Sequence, residues 1–168
     1  IVIVGSGPAG CSAALYAARA GQEVVVISMG MGALSKAELI QNYYGFEEGI
    51  TGAELYRQGV AGAKAVGAEF ITAEVVGLDY TGSLVVQTTE GDYPADAVIL
   101  ATGAGRIAPK IAGLAEHEGR GVSYCATCDA FFYRGKTAAV LGSGEYALHE
   151  VQALLPLAGR VILCTNGE

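Results

Sequence analysis

Two cysteines, Cys125 and Cys128, stand two residues apart in "YCATCDAFFYRGK", with Asp129 directly behind the second. A helix starting near this point would put the pair at its N-terminus, where the backbone dipole favours a thiolate and raises the fraction able to attack a disulfide. Asp129 fits two roles: a carboxyl that shuttles a proton during thiol exchange, or a first-turn acid that only complements the helix dipole. The same spacing could form half of a zinc site, but no second pair follows at metal-ligand spacing, and His117 and His149 stand alone. A small stand-alone redox fold also carries such a pair, yet it leaves two glycine-rich loops of this chain unexplained.

Those loops set the frame. "IVIV" is an uninterrupted β-branched run suited to a strand buried on both faces, and "GSGPAG" follows it at once. A helix is expected from Pro8 to Gly21 and a second strand over Glu23 to Ser28, so Gly5, Gly7 and Gly10 form Gly-x-Gly-x-x-Gly in the strand-loop-helix setting of a dinucleotide-binding unit. Gly5 permits the tight turn, Gly7 lets backbone approach a pyrophosphate, and Gly10 lets the helix pack close to the strand. The acid that usually meets the ribose after the second strand is missing from "ISMGMGA", which leaves Ser28 or the backbone of residues 30–32 for that contact.

Next come an expected helix over residues 52–68, short strands in "EFITAEVVGLDY", "SLVVQTT" and "DYPA" with a turn at Glu90 to Asp92, and a buried parallel strand in "DAVILATGAG". Its Ala101-Thr102-Gly103 turn falls at the carboxyl end of the sheet, where open α/β sheets bind ligands. "KTAAVLGSGEYALHEVQALLPLAGRVILC" then repeats the opening: strand, Gly142, Gly144 and Ala147 as Gly-x-Gly-x-x-Ala, helix, turn at Gly159, strand. Two such units imply two nucleotides, and with a dithiol between them an electron relay from pyridine nucleotide to flavin to disulfide. The second unit ends after two strands, so the sequence reads as part of a longer chain.

The rest of the composition is compatible. A chain of 168 residues, 52% hydrophobic and 16% charged, can bury one good core. Its net charge of -7 and the lack of a basic cluster argue against nucleic acid and anionic membrane surfaces. Apolar runs are too short to span a bilayer, there is no signal-peptide pattern, and a cytoplasmic address is expected. Cys11 and Cys164 fall in an expected helix and strand, where free cysteines pack as small hydrophobes.

"GSGPAG", "QNYYG", "ATGA", "CATCDAFFYRGK" and "GSGEYALHE" occur in the order and at nearly the spacing seen in low-molecular-weight thioredoxin reductases, and the resemblance covers the whole chain. It implies an α/β protein: a Rossmann-like FAD-binding domain with inserted small antiparallel strands at 1–112, followed by the start of a Rossmann-like NAD(P)-binding domain at 113–168. It implies FAD held by Gly5, Ser6, Gly7, Pro8, Ala9, Gly10, Gly32, Leu34, Asn42, Ala101, Thr102 and Gly103, and NADPH or NADH held by the second loop. Cys128 would face the flavin, Cys125 would attack the protein substrate, and Asp129 would be the acid. The implied activity is flavin-dependent reduction of thioredoxin or a thioredoxin-like protein by a homodimer. Two alternatives are a side-branch enzyme with another electron donor or a peroxiredoxin-type partner, and a non-catalytic FAD-binding fragment. The chain departs from the family at Ala33, Tyr43 and Tyr44, at the bulky Tyr146, and at Thr165, Asn166 and Gly167 in place of a basic run. Arg160 precedes its strand and would sit at the wrong end of the sheet to replace that run.

Overall fold

The computed structural model describes residues 1–80, 82–105, 108–165 and 167. They form two compact units, Ile1–Ala108 and Pro109–Glu168, so the division expected after residue 112 lies within the second. Asn166 is outside the described residues.

The first unit begins with β1 (Val2–Val4), α1 (Pro8–Arg19) and β2 (Val25–Ser28). A 3-10 turn at Gly32–Lys36 leads to α2 (Gly52–Ala65), β3 (Glu69–Thr72), β4 (Val75–Tyr80), β5 (Leu84–Thr88), β6 (Gly91–Ala95) and β7 (Val98–Leu100). Four strands form a parallel sheet in the order β3-β2-β1-β7, with Val2 paired to both Val25 and Val98. Alternation along the central strands explains the unbroken apolar run. Ile3 and Val26 point to one face and pack with Ala14 of α1 and Ala63 of α2. Val2, Val4 and Ile27 point to the other and pack with Val86 of the antiparallel β4-β5-β6 sheet. The result is three layers: helices, parallel sheet, antiparallel sheet.

Local chemistry sets the helix starts. Pro8 occupies the first turn of α1, where its missing N–H costs nothing. Thr51 caps α2 by accepting from the Glu54 amide at 3.2 Å, and the Glu54 carboxylate holds Arg57 and Gln58 one turn on.

Three details differ from expectation. "EFITAEVVGLDY" is divided between two sheets, since β3 joins the parallel sheet beside β2 and β4 turns into the antiparallel one. The β5–β6 turn falls at Thr89 and Glu90, one residue early, because Thr88 pairs with Gly91 and its hydroxyl donates to the Gly91 carbonyl at 2.7 Å. Among the described residues β7 ends the sheet beside β1, and its Leu100 is 64% exposed where a buried strand was expected.

The second unit contains α3 (Ala126–Asp129), a 3-10 turn at Ala130–Tyr133, β8 (Thr137–Leu141), α4 (Gly144–Leu154) and β9 (Arg160–Cys164). β8 and β9 are parallel and in register from Thr137–Arg160 to Leu141–Cys164. Ala126, Ala130, Ala138 and Leu154 form its core, so the cysteine turn is packed directly on the strand-helix unit. Cys11 is buried as expected, but Cys164 is exposed, because it ends β9 at a strand edge. No helix among the described residues is long and apolar enough to cross a membrane.

Candidate functional site

The glycine loop of the first unit is built by close approach at two of its glycines and by open space at the third. Gly5 adopts φ +105, and a Cβ there would run into the Ala101 carbonyl oxygen. A Cβ on Gly10 would run into the Gly5 carbonyl oxygen, so α1 is pressed onto the loop, and Ala101 is held beside β1 by its amide donating to the Val4 carbonyl at 2.8 Å. Gly7 is different. Its backbone (φ -65, ψ -175) suits any residue and nothing lies within 4 Å of where its Cβ would be. The missing side chain leaves a hollow over the first turn of α1, where the Ala9 and Gly10 amides precede the first intrahelical bond, from the Cys11 amide to the Gly7 carbonyl at 2.9 Å, and no side chain caps them. No acidic residue stands in that turn. A pyrophosphate fits such a cradle by charge and by space.

Ser6, 1% exposed, ties the loop to its neighbours. The Ser28 hydroxyl donates to Ser6 Oγ at 2.7 Å, and Ser6 Oγ donates to the Gly30 carbonyl at 3.2 Å. Since that uses the single Ser6 proton, the Tyr56 hydroxyl, 3.0 Å away, is the donor in its pair with Ser6. Ser28 therefore aims its proton at the loop. A cleft of about 210 Å³ beside the loop is lined by Gly7, Pro8, Cys11, Leu34, Tyr43 and Tyr56 among others. Cys11 donates to the Ser6 carbonyl at 3.1 Å, and burial raises its thiol pKa. Of the remaining expected residues, Ala9 lies in the first turn of α1, Gly32 opens the 3-10 turn, Asn42 is exposed within the loop bridged by Ile40 and Ile50, and Thr102 and Gly103 are exposed after β7.

In the second unit Cys125 and Cys128 form a disulfide across the start of α3. Cys125 is half-buried and Cys128 exposed. Cys125 Sγ accepts from the Cys128 amide at 3.2 Å, a contact that favours a thiolate on Cys125 once the bond is opened. Two side chains not picked out from the sequence fix this turn. Ser123 donates to Asp129 Oδ2 at 2.5 Å and lies 3.3 Å from the Cys125 carbonyl, while its own oxygen accepts from the Cys125 amide at 3.1 Å. A hydroxyl so placed suits both states of the acid: it donates to the carboxylate, and can accept from the carboxyl while turning its proton to the Cys125 carbonyl. Glu150 of α4 accepts from the Ala126 amide through Oε2 at 2.5 Å. No sequence period links 123 to 129 or 126 to 150. Asp129 and burial together raise the Tyr133 phenol, burial being the larger cause.

The second glycine loop leads from β8 into α4. Gly144 has φ +78, a left-handed conformation that favours glycine, and a Cβ on Gly142 would touch Ala147 at 3.4 Å, so Ala147 supplies the close helix-strand contact. Space around Gly144 is open, as at Gly7, but Glu145 stands in the first turn of α4. Tyr146 is exposed and its hydroxyl donates to the Tyr124 carbonyl at 3.3 Å, which links this loop to the residue before Cys125. Thr165 and Gly167 are neutral. Among the described residues no group of three or more His, Cys, Asp or Glu side chains could hold a metal.

Comparison with known proteins places this geometry. The chain is 37% identical over 172 residues to a thioredoxin reductase of Aquifex aeolicus (strain VF5), covering all of this chain and 53% of the relative. It is 45% identical over 168 residues to a bifunctional thioredoxin reductase/thioredoxin of Mycobacterium leprae (strain TN), covering 97% of this chain and 36% of the relative. Among solved structures, the thioredoxin reductase from Streptococcus pyogenes MGAS5005 superposes with a TM-score of 0.88 at 36% identity, over 96% of this chain and 54% of that one. The chain thus spans about half the length of the first of these relatives and of the solved structure, and less of the bifunctional one. Residues 1–166 match the family described as pyridine nucleotide-disulphide oxidoreductase. With two strand-glycine loop-helix units and a disulfide packed at the start of the second, the chain belongs to the pyridine nucleotide-disulphide oxidoreductase family.

Proposed function

We propose that this chain carries the electron path of a flavin-dependent disulfide reductase, from NADPH or NADH through FAD to the Cys125–Cys128 pair and on to thioredoxin or a thioredoxin-like protein. The observation that carries this reading is the disulfide itself, formed in a four-residue turn packed against the second nucleotide unit. FAD would lie on the Gly5-to-Gly10 loop with Ala101, Thr102, Gly103, Gly32, Leu34 and Asn42 beside it. Its pyrophosphate would fill the hollow over Gly7. Bound there, FAD supplies the conversion of a two-electron hydride donor into a reductant of disulfides. The nicotinamide nucleotide would use Gly142, Gly144 and Ala147.

The protein's own steps are thiol chemistry. Two electrons and two protons open the Cys125–Cys128 bond to two thiols. The Cys125 thiolate, stabilised by the Cys128 amide, attacks one sulfur of the partner's disulfide, and the other leaves as a thiolate that takes a proton. Asp129, steadied by Ser123, is the acid placed to give it. Cys128 then attacks Cys125 Sγ in the mixed disulfide, which restores the internal bond and releases the reduced partner. The setting is a homodimer in the cytoplasm, where partner thiols are kept reduced.

The test is a mixture of the chain, FAD, nicotinamide nucleotide and oxidised thioredoxin, followed by bleaching of the flavin and by appearance of thioredoxin thiols. Bleaching by NADPH or NADH with thiol formation is expected. Flavin that binds but is bleached by neither nucleotide overturns the donor assignment, and a second reading is favoured in that case by Tyr146 and the neutral Thr165 and Gly167: a different electron donor feeding the same dithiol.

A further inference from the structure

Glu150 is the buried-side carboxylate of the cysteine turn, and the exchange chemistry above does not use it. Its side chain is 13% exposed, projects from the middle of α4, and places Oε2 at 2.5 Å from the amide of Ala126, the residue directly after Cys125. The other oxygen lies 3.8 Å from His149 Nδ1, on a ring that is 66% exposed. The carboxylates hydrogen-bonded within the turn are thus Glu150 from α4 and Asp129 within α3, with the exposed His149 ring beside Glu150. Ser123 donates to the Asp129 carboxylate, whereas Glu150 takes its hydrogen bond from the backbone beside the reacting sulfur.

We infer that Glu150 is a positioning residue that sets the reduction potential of the Cys125–Cys128 pair by holding a carboxylate against the Ala126 amide. Two physical effects act together. The hydrogen bond fixes the peptide between Cys125 and Ala126, so the disulfide re-forms from a preset geometry. The charge opposes development of a thiolate at Cys125, because like charges close together in a partly desolvated site repel. Both effects favour the oxidised pair, and the potential is lower than it would be with a neutral acceptor. This inference needs the pair to be a redox couple, as proposed above, but not the flavin or the nucleotide.

The test equilibrates the full chain with dithiothreitol and its cyclic disulfide at pH 7 and counts protein thiols. Dithiothreitol thiolate attacks the Cys125–Cys128 bond, the mixed disulfide closes to cyclic oxidised dithiothreitol, and two protein thiols result. Glu150→Gln keeps an oxygen acceptor for the Ala126 amide and removes the charge; Glu150→Ala removes both. The equilibrium constant for reduction is expected to rise about tenfold in Glu150→Gln, equivalent to about 30 mV, and further in Glu150→Ala. A thermal melt of each oxidised variant shows that it is folded, and the conservative variant carries the decision if the alanine variant is not. An equilibrium constant within twofold of wild type in Glu150→Gln overturns the inference. A wild-type pair that fails to equilibrate with dithiothreitol overturns the redox reading on which it rests, and does so before any variant is measured.

Discussion

Gly7 and Gly10 are separated by one turn of chain and differ completely in what an added methyl would meet, so paired alanine substitutions divide folding from ligand binding. A Cβ at Gly10 falls on the Gly5 carbonyl oxygen, which is backbone and cannot rotate away. α1 would have to lift from β1, where Ala14 and Ile3 pack together. Overpacking of this kind costs about 1–3 kcal/mol, and a clash with fixed backbone belongs at the upper end. At roughly 2–4 °C per kcal/mol for a chain of 168 residues, Gly10→Ala should melt about 6–12 °C below wild type. A Cβ at Gly7 meets nothing within 4 Å, and its φ of -65 is ordinary, so the apo protein should melt within about 2 °C of wild type, since surface changes rarely exceed about 0.5 kcal/mol. The methyl would instead occupy the cradle. Loss of one charge-assisted hydrogen bond to a phosphate, about 1.5–3 kcal/mol, weakens FAD binding roughly 10- to 150-fold. Differential scanning fluorimetry of the apo chains and FAD titration by flavin fluorescence read the two effects separately. A Gly7→Ala chain that binds FAD with wild-type affinity would refute the pyrophosphate assignment, and an unshifted melt for Gly10→Ala would refute the close approach of α1.

Other consequences are as direct. Cys128→Ser should accumulate a mixed disulfide between Cys125 and an oxidised thioredoxin, visible by mass spectrometry, whereas Cys125→Ser should not. Ser123→Ala should lower the rate of partner release about tenfold, as one hydrogen bond worth about 1–1.5 kcal/mol is removed, and should distort the pH–rate profile. The oxidised chain should show fast alkylation at exposed Cys164 and slow alkylation at Cys11, whose burial raises its pKa; peptide mapping after iodoacetamide decides this. The Glu54 carboxyl is held at about 2 by its hydrogen bonds from Arg57 and Gln58, below the usual 4.5. A depressed carboxylate stabilises the fold fully above its unfolded pKa and loses that contribution as pH falls through the folded value. The melting difference between wild type and Glu54→Gln should therefore be constant above about pH 5 and shrink between 4.5 and about 2.

What could be read from the residues was mostly what short-range geometry dictates. Gly5, Gly7 and Gly10 after a β-branched run specify a strand, a loop and a helix, because each glycine answers a different local demand, and the structure contains all three. The spacing of Cys125 and Cys128 matches the disulfide in the same way. The assignment of β3 and β4 could not be read, since alternating apolar residues specify a strand but not its partner, and Phe70 and Val75 look alike in sequence while facing different layers. The supports of the cysteine turn were hidden for a similar reason: Ser123 and Glu150 reach it through space, and their chemistry is unremarkable until the fold brings them together. Ser28 was legible as a polar ending to β2, but its hydroxyl faces Ser6, a direction that only the packed loop defines.

The sheet order has a consequence for the route by which the protein forms. β1 finds β2 nearby in the chain, yet its other edge must wait for β7, whose partner for Val2 is Val98. Contacts between distant segments are the slow ones, since a long loop must close before they are made. The Ala101 carbonyl that walls in Gly5 arrives with β7. During synthesis, then, the glycine loop is encoded first and completed late: a nascent chain ending before residue 101 has the glycines, the first helix and its amides, but lacks the strand that closes the loop from behind.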